Sequence, residues 1–383
     1  MFDFRFVVWT LCTLTIKCKP SPVNLSSKQH SLSINSSTIS VGIVANPVSA
    51  RDIRRVIANA TSLQVSDRAN IVMCVLAAVR ACGVKRVLMM PENGGIRSLL
   101  KRGLQREQKL GDNRFPELEM TDTQISGTVD DTFAATQAMV DSGVKAIVVL
   151  GGDGTHRAVA KVCGQVPIAG ISTGTNNAFP EHREPTITGL AVGLAATGRI
   201  PESVAFTLNK LLCVKINDGE RSDIALVDVV VSTKRYIGAR ALWRTDNLRE
   251  IFVTFADPEV IGMSAIAGLL EPVSRNDFGG LHVLLDDPEV TENLLQVPIA
   301  PGLIRLVGVQ SWQQLEAGIP VILMQSSGTI ALDGERELEF GPEDSVQVTL
   351  HEKAFRTVNV GACMRHTGQH RLLVGAPLEL LAT

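Results

Sequence analysis

Apolar and polar positions follow two different rhythms along this chain, and the change between them divides it. From Val41 to about residue 200, short apolar runs take turns with stretches whose apolar positions recur three or four apart. VGIVAN (41–46), VKRVLMM (84–90), ELEMTD (117–122), KAIVVL (145–150) and VPIAG (166–170) read as strands. Between the first two, Ile71, Val72, Val75, Leu76 and Val79 keep helical spacing behind Ser66, a good cap, and Gly83 ends the run. IRSLLKRGL (96–104), DDTFAATQAMVDSG (130–143) and the run from about Thr155 to Val162 read as further helices. Strands that are apolar throughout and separated by helices predict a parallel sheet covered on both faces.

Beyond about residue 205 the helical rhythm thins out. LCVKINDGERSDIALVDVVVS (212–232) holds two strand-like runs around the turn residues Asn217-Asp218-Gly219. IFVTFAD, LHVLLDD, IRLVGV, IPVILMQ, GTIALDG and SVQVTLHE follow as short β runs separated by Gly, Pro and Asp. The pattern predicts an α/β domain over 41–205, a mainly-β domain over 206–360, and a C-terminal tail, 361–383, packing back on the first domain. Residues 256–275 have helix-like and loop-like halves and suggest no role. Residues 1–40 stand apart. FVVWTLCTLTI (6–16) is too short for a bilayer span, which needs about 20 residues. Asp3 before it and the lack of a small-residue cleavage site argue against a secretory signal. The segment is expected to be a disordered or spurious extension.

Composition narrows the function classes. Of 383 residues, 45% are hydrophobic and 20% charged, with a formal net charge of −2, the balance of a folded chain with no basic footprint for nucleic acid. One tyrosine leaves little for base stacking. Nothing suggests stable membrane insertion, and the sequence leaves room for a homo-oligomer. The seven cysteines (Cys12, Cys18, Cys74, Cys82, Cys163, Cys213, Cys363) form no CxxC pair, which suits buried reduced thiols and a cytoplasmic location.

The candidate chemistry lies in GGDGT, 151–155, at the end of the strand KAIVVL. Glycines at 151, 152 and 154 let the main chain approach a ligand, and the following helix adds its positive end, so the turn suits phosphate oxygens. Asp153 would repel a bare phosphate and must therefore meet a metal ion, a hydroxyl or a proton. GxxxxGK[ST] is absent, and Arg157 stands where GxGxxG needs its third glycine, so neither the P-loop nor the dinucleotide fingerprint applies.

Three more segments stand in a telling order: VANP (44–47), GISTGTNNAFP (170–180) and LDGE (332–335). With GGDGT they resemble the superfamily shared by NAD kinases and diacylglycerol or sphingosine lipid kinases. NPVSARDIRRV and STGTNNAFPE bring the chain nearest to the ATP–NAD-kinase-like acetoin-catabolism protein X group. The resemblance implies a three-layer α/β N-terminal domain, a β-sandwich C-terminal domain and an active site between them. It implies ATP as phosphoryl donor, Mg²⁺ as its ion and a small-molecule hydroxyl acceptor. NAD is the first candidate acceptor, which would link the chain to NADP biosynthesis; a lipid acceptor and a non-catalytic nucleotide-binding regulator linked to acetoin catabolism are the alternatives. Carried over by position, Asn46, Gly151, Gly152, Gly154, Thr155, Thr173, Gly174, Thr175 and Asn176 would surround the nucleotide. Asp153 would hold the metal or the acceptor hydroxyl, Asp333 and Glu335 would add catalytic carboxylates, and Asn177 and Asp228 would touch the substrate.

The chain departs from the pattern in two places. The "ALNE" segment by which NAD kinases grip adenosine corresponds to Ala225-Leu226-Val227-Asp228, so Val227 replaces the amide. The "N-E" of the lipid kinases after GGDGT is replaced by His156-Arg157, where Arg157 either meets a phosphate or lies solvated on its helix. Plainer readings stand beside these. GGDGT could be only a strand-to-helix turn, Asp333-Gly334-Glu335 only a hairpin, and Asn46 only a turn cap. Gly170 to Gly174 formally matches GxSxG, with Ser172 as nucleophile and His282 or His351 downstream. The Gly-, Asn- and Pro-rich sequence that follows is not the helix such an elbow requires.

Overall fold

The structure is a computed structural model that describes residues 38–46, 63–109, 114–173, 177–237, 242 and 244–374, with Arg336 described in its main chain only. The expected extension over 1–40 falls, but for its last three residues, outside these. β1 (Ser40–Ala45), β2 (Arg86–Met89), β3 (Glu117–Met120), β4 (Ile147–Gly151) and β5 (Ile168–Ser172) run parallel in the order β3-β2-β1-β4-β5. They are joined by α1 (Val65–Ala81), α2 (Ile96–Lys109), α3 (Asp130–Asp141) and α4 (Asp153–Val162), and followed by α5 (Pro185–Ala196) and the short α6 (Glu202–Ala205). Every strand and helix expected in this half is present. α4 begins two residues earlier than its apolar pattern suggests. Gly152 takes the extended N-cap conformation (φ −93°, ψ −172°), so Asp153 enters the first turn, where a negative charge suits the helix dipole.

Alternate residues of each strand feed two cores, as strict period-2 geometry requires. Val41, Ile43 and Ala45 of β1, with Val148 and Leu150 of β4, pack under α1 and α5. Val44, Ile147 and Val149 point the other way, to Ala135 and Met139 of α3 and Val159 of α4. The chain builds outward from β1 to β3, then returns to place β4 on the other side of β1. That reversal opens a crevice beyond the carboxyl ends of β1 and β4, the usual ligand position in such sheets.

The second half is almost all β: β6 (Phe206–Ile216), β7 (Arg221–Ala225), β8 (Asp228–Ser232), β9 (Leu248–Val253), then helix α7 (Ser264–Leu270), β10 (Gly280–Asp286), β11 (Leu294–Ala300), β12 (Leu303–Leu315), β13 (Pro320–Ile322), β14 (Gly328–Leu332), β15 (Glu335–Phe340) and β16 (Val346–Val358). Seven of these strands form an antiparallel sheet in the order β11-β12-β10-β9-β8-β14-β15. Leu212, Val214, Val348 and Leu350 of β6 and β16 face Val229, Val231, Phe252 and Ile330 of that sheet, which makes a sandwich. The composition shift near 205 does not break the first sheet, however. β16 lies beside β5, with Thr357 opposite Ile168, and brings β6 and β7 with it, so one sheet of nine strands runs through both halves. A parallel edge left by β5 is thereby covered.

The chain then returns to the first half. Helix α8 (Val360–Gln369) puts Val360 and Cys363 into the core under α1 and α5. The five described cysteines are unpaired and all but Cys74 are buried. Burial pushes the thiols of Cys82, Cys163 and Cys363 up to about 11, 12 and 11, so they stay protonated and inert near neutrality. Among the described residues, no helix is long and apolar enough to cross a membrane.

Candidate active site

Asp153 stands where the crevice meets the tip of α4. The first-turn amides of a helix have no intrahelical carbonyl to bond. That of Thr155 reaches back to the Gly152 carbonyl at 3.1 Å, which also takes the first regular helical bond, from the His156 N–H at 3.1 Å. Gly151 has an internal reason to be glycine: a Cβ there would fall 2.5 Å from Thr155 Cβ, so the Thr155 side chain fills that space. At Gly154 the nearest group to such a Cβ would be the Glu335 carboxyl, 3.8 Å away. Glu335, at the start of β15, therefore brings a second carboxylate from the β half against the first turn of α4.

Both oxygens of Asp153 are engaged by the main chain. Oδ2 accepts the Ala178 N–H at 3.0 Å and Oδ1 the Phe179 N–H at 2.9 Å. Although only 8% exposed, Asp153 still lines a cleft of about 300 Å³, solvent mouth included. Asp228 and Gly334 line it too, and Leu242, Ile261, Met263 and Ile299 form its apolar wall. At the end of β5 the Thr173 N–H bonds the Gly151 carbonyl at 3.2 Å. The Thr173 hydroxyl is buried with no hydrogen-bond partner among the described residues. Asn177 donates to Ser172 Oγ at 2.7 Å. Gly174, Thr175 and Asn176 lie outside the described residues. Asn46, at the end of β1, donates to Thr132 Oγ1 at 3.4 Å and accepts Arg68 Nη1 on its carbonyl at 2.7 Å.

The other bank is the hairpin of β14 and β15. Asp333 and Gly334 take positive φ (51° and 79°), as a two-residue hairpin turn demands. The Asp333 carboxyl has no exposed surface and accepts the main-chain N–H groups of Leu226 (2.9 Å), Val227 (2.8 Å) and Asp228 (3.4 Å). Gly334 N–H in turn donates to Asp228 Oδ1 at 3.2 Å. Burial pushes the Asp333 carboxyl above its ordinary range, opposed by Arg157 and those amides. The segment is a hairpin, and Asp333, which also borders the cleft, fixes the 226–228 corner. Val227 is buried among apolar side chains, so nothing there replaces the missing amide.

Arg157 neither awaits a phosphate nor faces solvent. Its guanidinium is buried and donates to the Leu332 carbonyl and to Glu337 Oε1, both at 2.8 Å, with Nε 3.9 Å from Asp333 Oδ2. Burial works against its charge, but Asp333, Asp223, Glu337 and Glu335 outweigh that and lift its pKa above the usual value. It ties α4 to the β14–β15 hairpin. His156 is buried beside it, with Nδ1 2.8 Å from the Gly152 carbonyl and its ring centroid 5.7 Å from that of Phe179. That contact assigns the proton to Nδ1. Burial pushes the imidazole down to about 4, so it is neutral at pH 7.

The motifs gave no hint of Arg275. It follows α7, in the segment to which the pattern assigned no role, and its guanidinium donates to the carbonyls of Ala178 and Phe179. Those residues are the ones whose amides hold Asp153. The only sequence signal was an arginine in a β-domain loop, which is commonplace. As for the rival nucleophile, Ser172 is bonded by Asn177, and His282 is paired with Glu250 at 3.2 Å. Neither His282 nor His351 is a hydrogen-bond partner of Ser172 among the described residues.

Among the described residues, no group of three or more His, Cys, Asp or Glu side chains is placed to hold a metal ion alone. A Mg²⁺ shared with phosphate oxygens needs only one or two protein carboxylates, and Asp153 and Asp228 on one cleft suit that mode. The buried hydroxyl of Thr173, at the turn beside Gly151, suits an added oxygen ligand.

Comparison with known proteins gives a consistent picture. The family model described as ATP-NAD kinase N-terminal domain matches residues 41–200, and that described as acetoin catabolism protein X C-terminal domain matches residues 210–353. Acetoin catabolism protein X of Cupriavidus necator is 59% identical over 340 residues, covering 88% of this chain and 94% of that protein.

Two outcomes follow from the buried charges. Arg157→Met should destabilise the fold by about 3 kcal/mol, because it leaves the enclosed Asp333 carboxyl without its cation, as a denaturant midpoint would reveal. The His156 effect has a definite sign. Its pKa is about 4 folded and about 6.5 unfolded, so the unfolded chain binds the extra proton between those values. The stability due to the neutral ring is complete above about pH 6.5 and declines by about 1.4 kcal/mol per unit as pH falls toward 4. In urea titrations across that window, His156→Gln should show a correspondingly shallower pH slope than the wild type.

Proposed function

The chain belongs to the acetoin catabolism protein X family, and on that premise we propose that it is a cytoplasmic ATP-dependent phosphotransferase acting on a hydroxyl acceptor. The observation that carries this reading is the meeting of Asp153 and Asp228 on one cleft, at the tip of α4 and the switch point of the parallel sheet. Phosphoryl transfer asks mainly for positioning and charge neutralisation. The turn 151–155 would take the phosphates at the helix N-terminus. Asp153 and Asp228 would hold the divalent ion, which when bound neutralises phosphate charge. Asp153 or Glu335 would accept the proton of the attacking hydroxyl.

NAD is the first acceptor to test. The apolar wall of Leu242, Ile261, Met263 and Ile299, together with Val227 in place of an amide, favours a second reading in which the acceptor is a small hydroxylated molecule of few carbons. The name of the Cupriavidus necator relative, which refers to acetoin, is compatible with that reading.

The test is transfer from labelled ATP with Mg²⁺ to NAD, to short-chain diols and hydroxyketones, and to diacylglycerol. Label arriving on a hydroxyl of one of them is expected. ATP binding with no transfer to any would overturn the enzyme reading in favour of a nucleotide-binding regulator. Asp153→Asn should lower kcat by at least about 100-fold. It should also cost about 1–2 kcal/mol of stability, because one carboxylate oxygen becomes an NH₂ set against a main-chain N–H.

A further inference from the structure

We infer that Arg275 is the positioning residue of this site, acting on Asp153 through the peptide group that joins Ala178 to Phe179. That peptide has its carbonyl oxygen on Arg275 Nη2 and its N–H on Asp153 Oδ1, the latter at 2.9 Å. Since C=O and N–H point opposite ways in a trans peptide, the guanidinium and the carboxylate stand on opposite sides of one planar unit. The neighbouring groups repeat the arrangement. Ala178 N–H donates to Asp153 Oδ2 at 3.0 Å, and the Phe179 carbonyl accepts Arg275 Nη1 at 2.8 Å. Residue 180 is proline, so the peptide after Phe179 carries no N–H, and the relay to Asp153 runs through the 178–179 peptide alone.

A fork is needed at this place. Two carbonyls one residue apart match the two fixed prongs of a planar guanidinium, and a lysine, with its donors on a single nitrogen, does not reproduce that spacing. Arg275 is further held by two aromatic rings, its Cζ lying 4.2 Å from the centroid of Phe255 and 5.5 Å from that of Phe179. Its loop is anchored in turn. The buried Lys210 of β6 donates to the carbonyls of Ser274 (3.3 Å), Asp277 (2.9 Å) and Gly279 (2.7 Å), and Gly279 N–H donates to Glu352 Oε1 of β16 at 2.9 Å. A continuous polar path thus runs from the long strands of the β half, through the loop 274–279 and Arg275, to a carboxylate on the α/β half. Each bond in such a path polarises the next. The consequence is that the β half sets where Asp153 points.

This inference rests on Asp153 as the carboxylate of the reacting centre, and its test separates the two claims. Hydrogen exchange at the Ala178 and Phe179 amides reads the linkage without any activity. In the full chain, Arg275→Lys is expected to speed exchange at both amides by at least about tenfold, as Asp153→Ala should, while Val148 in β4 stays unchanged. If the enzyme reading holds, Arg275→Lys also lowers kcat by at least about tenfold with the KM for ATP within about threefold, the pattern of a misaligned reacting group rather than a lost binding contact. Unchanged exchange at both amides overturns the inference, whatever the activity. Unchanged kcat in a chain that does transfer phosphate overturns the positioning role alone. Should Arg275→Lys fail to fold, Lys210→Met loosens the loop and keeps the fork; no faster exchange at the same two amides would be equally decisive against the proposal.

Discussion

A carboxylate enclosed by protein must find donors, and main-chain amides are in good supply where strands and helices end. Both banks of the cleft are organised by that need. On one side Asp153 gathers the amides of Ala178 and Phe179, which draws the loop after β5 onto the tip of α4. On the other, Asp333 gathers three amides of the 226–228 corner, which locks the crossing from β7 to β8 against the β14–β15 hairpin. The acids of the motifs are therefore architectural before they are chemical.

The two halves are also joined through α4 itself. Arg157 leaves this helix for the Leu332 carbonyl and Glu337, and Lys161, one turn on, meets Asp223 of β7 at 2.6 Å. The helix that presents Asp153 is thus held at two points by the β half, while Arg275 holds the loop that Asp153 grips. Ion pairs with one partner exposed contribute little, so the Lys161 contact sets register more than stability. Arg157 is different. It is buried with a fully enclosed acid beside it, and its removal would strand that charge.

Much of the fold was legible in the sequence because local pattern and final burial agree. The apolar runs at 41–46 and 145–150 become inner strands that bury both faces, and the glycines at 83 and 143 close helices where the pattern stops. GGDGT was readable as a strand-to-helix turn whose acid faces a cleft. Illegible features depend on contacts between distant residues. That β16 would join β5 could not be read from SVQVTLHE, because an edge strand carries no mark of its partner. Arg157 sits in a helix sequence, HRAVAKV, that gives no sign whether its guanidinium turns inward. Only the β14–β15 hairpin, more than 170 residues later, decides it. Arg275 is the extreme case, since its role exists only once a loop of each half has been placed.

The three aspartates of the site differ in how far their surroundings consume them, and that grading bears on which can act. Asp333 takes three amides, stands 3.9 Å from a guanidinium and has no exposed side-chain surface, although it too borders the cleft. Asp153 has each oxygen on one amide and still lines the cleft. Asp228 gives one oxygen to the Gly334 amide and lines it as well. Asp153 and Asp228 thus bring carboxylates to the cleft from opposite banks, while Glu335 stands by the helix tip. Among the described lining residues the polar side chains are carboxylates, apart from Ser264. On the proposed phosphotransferase reading, such a site would discriminate mainly by what its apolar wall admits.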